Sequence, residues 1–318
     1  MSVQSSAVTK RKTKELGFWQ KVWRQRQLVV LSLPVLMVII FSYVPLWGWS
    51  FAFFNYKPTT GLNVFANDWI GLQSFQELLT DAYFWRGLKN SLGIGVLKIV
   101  FSYVFSLLLA VMINEVKATW FKRTVQTVSY LPHFVSWVVA ANLVFVTLSP
   151  DSGIVNEILL KLGIVDNPIS FMGKPNLFWL IVALTEVWKN AGYSAIVYLA
   201  AMTSIDPSLY ESADIDGAGR FSKIWNITLP SIMPTIKILL VLSIGRLLSV
   251  GFEQVYVLKS ASTTETATTL EVYIYDYAMK YGLWSKGSAM SIFNSIVSVV
   301  LIVGCNMLVK RMDGEGIM

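Results

Sequence analysis

Glu211 to Pro230 reads ESADIDGAGRFSKIWNITLP, a polar stretch set between two strongly apolar segments. Just before it, Asp206 and Pro207 suit an N-cap and the first position of a helix. Leu209, Tyr210, Ala213 and Ile215 then supply an apolar face, with Glu211 and Asp214 on a polar one. Gly217 and Gly219 permit a tight turn. Phe221 to Asn226 reads as a second short helix presenting Phe221, Ile224 and Trp225, and Pro230 opens the next apolar segment. Such a loop could lie on lipid headgroups as an amphipathic element. Its acids Glu211, Asp214 and Asp216 are unfavourable beside an anionic inner leaflet. An acidic, glycine-hinged knob better suits a groove on a partner protein.

The flanking segments set the fold class. The chain has 318 residues, 54% hydrophobic and 14% charged, where soluble domains carry about 25% charged residues. Six apolar segments are each long enough to cross a bilayer as helices: about Leu28–Phe51, Leu92–Ile113, Val125–Leu148, Leu177–Met202, Ile232–Val257 and Ala289–Leu308. The expectation is an all-α, six-span membrane bundle. A basic tail covers 1–27, the six-span domain 28–309 with the polar loop at about 204–230, and a short tail 310–318. The run after the basic tail is longer than a signal-peptide core and lacks a small-residue cleavage site, so the first span reads as a retained anchor.

Lysine and arginine set the orientation. Lys10, Arg11, Lys12, Lys14, Lys21, Arg24 and Arg26 precede the first span. Lys117, Lys122 and Arg123 follow the second, Arg220 and Lys223 the fourth, and Lys310 and Arg311 the sixth. The opposite loops are longer and more sparsely basic, which places both termini and the Glu211 loop in the cytoplasm. The net charge of +7 is therefore topological rather than a nucleic-acid footprint. Cys305 is the single cysteine and His133 the single histidine, so no disulfide within the chain or Cys/His metal cluster is expected. The aromatic loop from about Asn55 to Ser91 reads equally as an interfacial belt or a partner contact.

The order Glu211-Ser212-Ala213, three residues, Gly217, nine residues, then Ile227-Thr228-Leu229-Pro230 resembles the EAA loop of permease subunits of binding-protein-dependent ABC importers. Glu211, Ala213, Gly217, Ile227, Leu229 and Pro230 match at the required spacing, and Ser212 replaces the middle alanine. The wording is similar to that of the sugar branch, which includes the maltose permease. The resemblance implies a second permease subunit, most simply a different chain, a cytoplasmic ATPase dimer and an extracytoplasmic solute-binding protein. It also implies that the loop, with Asp216 and Arg220, docks into the ATPase. No P-loop is present, so this chain needs no cofactor of its own. ATP and magnesium would belong to the ATPase, and the chain would be a transport subunit rather than an enzyme.

Intramembrane charges are expensive and mark candidate sites. Glu186, Lys189, Asn190 and Tyr193 share one helical face in the fourth span. Ser243, Arg246, Leu247, Val250, Glu253 and Gln254 fit a stripe in the fifth. Two readings stand. Glu186 with Lys189, and Arg246 with Glu253, could be neutralising pairs that hold helices in register. Alternatively, Glu186, Lys189, Asn190, Tyr193, Ser243, Arg246, Leu247, Val250 and Glu253 line a solute pathway. By the resemblance, all of these except Glu253 fall where maltose-type permeases hold sugar. Cations there suit a carboxylate-bearing saccharide, such as a uronic-acid oligosaccharide. Lys98 is read as snorkelling from a helix end, and His133 as a packing or backbone-bonding residue. The rival functions are an ABC importer for a non-sugar solute, a self-sufficient secondary transporter and a membrane enzyme. The last lacks any metal-ligand or nucleophile motif.

Overall fold

The computed structural model describes residues 25–313. The basic tail up to residue 24 and the C-terminal residues after 313 lie outside the described residues. Residues 25–50 belong to a unit of their own. Within it, helix α1 (Arg26–Tyr43) passes into a 3-10 helix at Val44. Pro45 lies at that change, because it has no N–H to extend the α-helical ladder.

From Phe51 onward the chain forms the second unit. Its helices are α2 (Gln73–Thr80), α3 (Ala82–Glu115), α4 (Thr119–Tyr130), α5 (Trp137–Thr147), α6 (Ile154–Lys161), α7 (Phe178–Thr203) and α8 (Pro207–Ile215). They continue with α9 (Arg220–Gly245), α10 (Phe252–Leu258), α11 (Thr264–Ala267), α12 (Leu270–Tyr275) and α13 (Trp284–Asp313). Among the described residues the only β-pairing is one isolated bridge between Phe54 and Trp69. The fold is all-α, as expected.

Four helical stretches among the described residues are long and apolar enough to span a bilayer: Arg26–Phe53, α3, α9 and α13. A fifth span is possible only if α4 and α5 are taken together, and they meet at a bend of 103°. The expected straight third span is therefore corrected. Pro132 sits in a 3-10 turn, Leu131–Phe134, and Ser136 restarts the helix by capping Val139 N–H at 3.3 Å. Helix α7 is 26 residues long. Its charged and amide side chains, Glu186, Lys189 and Asn190, make it less apolar than the other spans.

The fifth expected span, Ile232–Val257, is also corrected. Helix α9 ends at Gly245 and α10 starts only at Phe252. Gly251 has φ +91°, a conformation that side-chain-bearing residues avoid. The break is clamped from both sides. Gly251 N–H donates to the Glu271 carboxylate at 3.1 Å, and the Lys98 ammonium donates to the Val250 carbonyl at 2.6 Å. Burial pushes the Glu271 carboxyl up, and the Gly251 N–H opposes that shift.

Two apolar clusters fix the elements around the break and around the polar loop. Ile94, Phe178, Val182, Val250, Val255 and Leu258 bind α3, α7 and α10 into one. Ala110, Ile113, Tyr198, Met202 and Ile232 join α3, α7 and α9 in the other, with Ile205 and Leu229 at its edge. Outside the spans, Asp81 caps α3 and accepts hydrogen bonds from Tyr273 (2.5 Å) and Tyr277 (3.1 Å). Burial, reinforced by that carboxylate, drives the Tyr273 phenol far above its ordinary range.

Close helix approach depends on glycine. A Cβ on Gly192 of α7 would lie 2.0 Å from the Ser129 carbonyl oxygen of α4. That obstacle is backbone and cannot rotate away. Gly192→Val is expected to cost roughly 3 kcal/mol or more through forced separation of the helices. Thermal unfolding of the detergent-purified protein checks this, and an unchanged midpoint would refute it.

Candidate functional site

Helices α3, α7 and α9 and the broken segment after Gly245 enclose a cavity of about 430 Å³, within the usual range for small-molecule sites. Helix α3 contributes Lys98, Ser102, Tyr103 and Ser106, and α7 contributes Glu186, Asn190, Tyr193, Ser194 and Tyr198. Ser243 of α9 and Arg246, Leu247, Ser249 and Val250 of the break join them, and Gly95, Ile99, Val197 and Leu239 fill the remaining lining. The break matters to this geometry. A continuous helix would direct Arg246 and Val250 by the helical period alone. Ending the helix at Gly245 instead turns backbone and side chains together toward the cavity.

Glu186, Asn190, Tyr193, Ser243, Arg246, Leu247 and Val250 thus meet at one cavity. Lys189 and Glu253 do not line it. Lys189 is 5% exposed, donates to the His133 carbonyl at 2.5 Å and lies 5.2 Å from the Trp137 ring centre. Glu253 sits exposed on α10, and the single stripe expected over 243–254 is interrupted by the break. Gln254 is fully buried and donates to the Val182 carbonyl at 2.8 Å.

The expected charge pairs are replaced by another. Glu186 pairs with Lys98 at 2.8 Å, not with Lys189. Lys98 lies mid-way along α3 rather than at a helix end, so the snorkelling expectation fails. Its ammonium also donates to Gln254 at 2.8 Å. Arg246 is exposed to the cavity and makes no ion pair among the described residues. The charged lining therefore comprises Lys98, Glu186 and Arg246 and carries one net positive charge.

The polar lining continues through neutral groups. Asn190 donates to Glu186 at 2.6 Å, and its carbonyl pairs with His133 Nδ1 at 2.8 Å. The His133 ring stacks on Tyr193 at 3.9 Å. His133 buttresses two lining residues without lining the cavity itself. Tyr103 bonds Ser243 at 3.2 Å. Ser106 is 1% exposed, and its hydroxyl has no partner among the described residues. Tyrosine faces beside hydroxyls, an amide and a cation suit a polyhydroxylated solute with an acidic group. Ser102, Tyr103 and Ser106 escaped the sequence reading because α3 is apolar overall, and Lys98 was assigned to a helix end. Lys98, an ammonium well inside a long apolar run, was the usable signal.

The polar loop forms a knob. Asp206 caps α8 by accepting from Ser208 N–H at 2.9 Å, as expected, and these bonds hold its carboxyl below the usual range. Gly217 has φ +72°. The Ala218 N–H reaches the Ala213 carbonyl at 2.9 Å and the Gly217 N–H reaches Asp214 at 3.1 Å, a Schellman closure. Only Gly217 uses positive φ; Gly219 has φ −71° and precedes α9. The expected separate helix Phe221–Asn226 is instead the first part of α9, joined to the span through a π-helical turn, Ile224–Thr228. Pro230 accounts for that wide turn, because an α-helical register would press its ring onto the Asn226 carbonyl. Tyr210 bonds Thr228 at 2.9 Å and Lys223 pairs with Asp214, tying α8 to the base of the span. Glu211, Ser212 and Asp216 are exposed. So are Ile215 (88%), Phe221 (81%) and Trp225 (68%).

Residues 102–314 match the family described as "Binding-protein-dependent transport system inner membrane component". The sequence is 39% identical to the polygalacturonan/rhamnogalacturonan transport system permease protein YteP of Bacillus subtilis, over 98% of this chain and 96% of that one. The fold is similar to a chain of a bacterial ABC transporter involved in the import of the acidic polysaccharide alginate. There the TM-score is 0.82 and identity 38%, covering 93% of this chain and 99% of that chain. A bacterial alginate transporter in complex with its pentasaccharide-bound periplasmic protein gives the same TM-score of 0.82 and identity of 38%, covering 94% and 99% of the two chains.

Proposed function

This chain belongs to the family of binding-protein-dependent transport system inner membrane components, and we propose that it is the permease subunit of an ABC importer for acidic oligosaccharides. The observation that carries the reading is Arg246. It is a guanidinium facing a polar, tyrosine-lined cavity whose one carboxylate is already paired with Lys98. A cation within a membrane-spanning bundle, without an ion pair among the described residues, is costly unless it serves a ligand, and guanidinium binds carboxylate bidentately. The acidic polymers named for YteP and for the alginate transporter support the same substrate class.

A second, non-identical permease completes the pathway, and an extracytoplasmic binding protein delivers the solute. A cytoplasmic ATPase dimer, which binds ATP and magnesium, receives the knob. Glu211, Asp216 and Arg220 meet it by charge, and Ile215, Phe221 and Trp225 by apolar contact. Gly217, with Ile227, Leu229 and Pro230, sets the knob's angle to the span. Both termini lie in the cytoplasm. Closure of the ATPase dimer moves the knob and rocks the spans between outward and inward access.

In liposomes carrying both permeases, the ATPase and the binding protein, labelled acidic oligosaccharide is expected to accumulate with ATP hydrolysis. Unlabelled acidic oligosaccharide should compete, and neutral oligosaccharide of equal length should compete at least about tenfold more weakly. Competition by neutral chains alone would overturn the acidic assignment. Ion-gradient-driven uptake by the lone chain would overturn the importer.

A further inference from the structure

We propose that Glu186 is a stand-in carboxylate. It holds Lys98 until a carboxylate of the solute takes that cation, whereupon Glu186 turns to Lys189. The inference rests on the acidic-solute reading and adds Lys98 as a specificity-determining residue.

An ammonium has three donors: Lys98 gives one to Gln254 at 2.8 Å and one to the Val250 carbonyl at 2.6 Å, and its charge is paired with the Glu186 carboxylate at 2.8 Å. A solute carboxylate can reach Lys98 only by displacing one of them. Gln254 is 0% exposed and anchored by its amide to Val182, and Val250 is 3% exposed. The Glu186 side chain opens on the cavity, so it is the partner free to leave.

Lys189 gives it a destination. It lies three residues along the same helix, within reach of Glu186 on one face. It is buried, and its contacts are a carbonyl and an aromatic ring, with no carboxylate among the described residues. Asn190 holds the other Glu186 oxygen at 2.6 Å and serves as the pivot. The exchange gives Glu186 and Lys189 each other as partners while the solute takes Lys98, whereas a simple displacement would leave the Glu186 carboxylate without a cation. A neutral sugar cannot trigger it and leaves the link from α3 to α7 through Lys98 and Glu186 in place, which makes it the poorer substrate.

The test uses the assembled transporter in liposomes, with oligogalacturonate and its carboxyl-reduced, neutral counterpart of equal length. Glu186→Gln keeps the Asn190 bond but frees Lys98 from a competing carboxylate. The half-saturating concentration of oligogalacturonate is expected to fall severalfold relative to that of the reduced chain. Lys98→Gln is expected to lower the acidic-to-neutral uptake ratio by about tenfold or more, the usual weight of a charged hydrogen bond. Lys189→Gln should slow acidic uptake selectively. Equal changes for both substrates in Glu186→Gln and Lys189→Gln would make the cluster purely structural and overturn the exchange, even if Lys98→Gln fails to fold. A wild-type transporter with no preference for oligogalacturonate would overturn the acidic reading as well. Wild-type preference with unaltered variants would overturn the exchange alone.

Discussion

Uptake by the assembled transporter is expected to fall at least about tenfold in Gly217→Val, while the permease remains inserted and paired with its companion. A β-branched residue at φ +72° is strained by roughly 1–2 kcal/mol, and the Schellman closure between α8 and α9 is displaced with it. No atom lies within 4 Å of a Cβ built there, so the effect acts through backbone conformation and not through packing. Gly217→Asn, which tolerates the left-handed region, should retain most activity. Glu211→Lys should be more severe, since under the proposed docking Glu211 meets a basic partner surface, where like charge costs several kcal/mol. Binding-protein-stimulated ATP hydrolysis is the measurement. If Gly217→Val and Glu211→Lys both leave it at the wild-type rate, the knob does not couple the two subunits.

Arg246→Ala carries the second large effect. Loss of a charged hydrogen bond removes roughly 1.5–3 kcal/mol, about ten- to a hundredfold in apparent affinity for an acidic oligosaccharide. Neutral oligosaccharide of the same length should be little affected, because the tyrosines and hydroxyls that serve it remain. Arg246→Lys should recover only part of the loss, since an ammonium cannot form the planar fork. Equal loss for acidic and neutral chains would remove Arg246 from recognition.

The fold class and the knob were legible because each is written in contiguous residues. Apolar runs announce membrane helices through their length alone. Asp206, Pro207 and Gly217 announce a cap, a first turn and a left-handed stop through their own backbone preferences. The two bent spans were not legible. Averaging hydropathy over Val125–Leu148 or Ile232–Val257 hides a break, since Ser136, Ser249 and Gly251 dilute an apolar window only slightly. The cavity was half legible. Glu186, Asn190 and Tyr193 follow helical spacing, so their common face could be counted. The pairing of Glu186 with Lys98 joins residues 88 positions apart, and no local period reports such a contact. Lys189 shows the limit from the other side. It shares the helical face on paper, yet the bend at Pro132 brings the His133 carbonyl close enough to draw it away.

The wide turn at Ile224–Thr228 has a consequence for how force passes through the molecule. A helix advances about 100° with each residue, so the surplus residue stored there sets the azimuth of everything on its cytoplasmic side. Losing one residue would restore an ordinary helical screw and swing Phe221 and the rest of the knob by about that angle, with the span left intact. The turn works as a vernier between knob and span, its setting fixed by the proline that follows it.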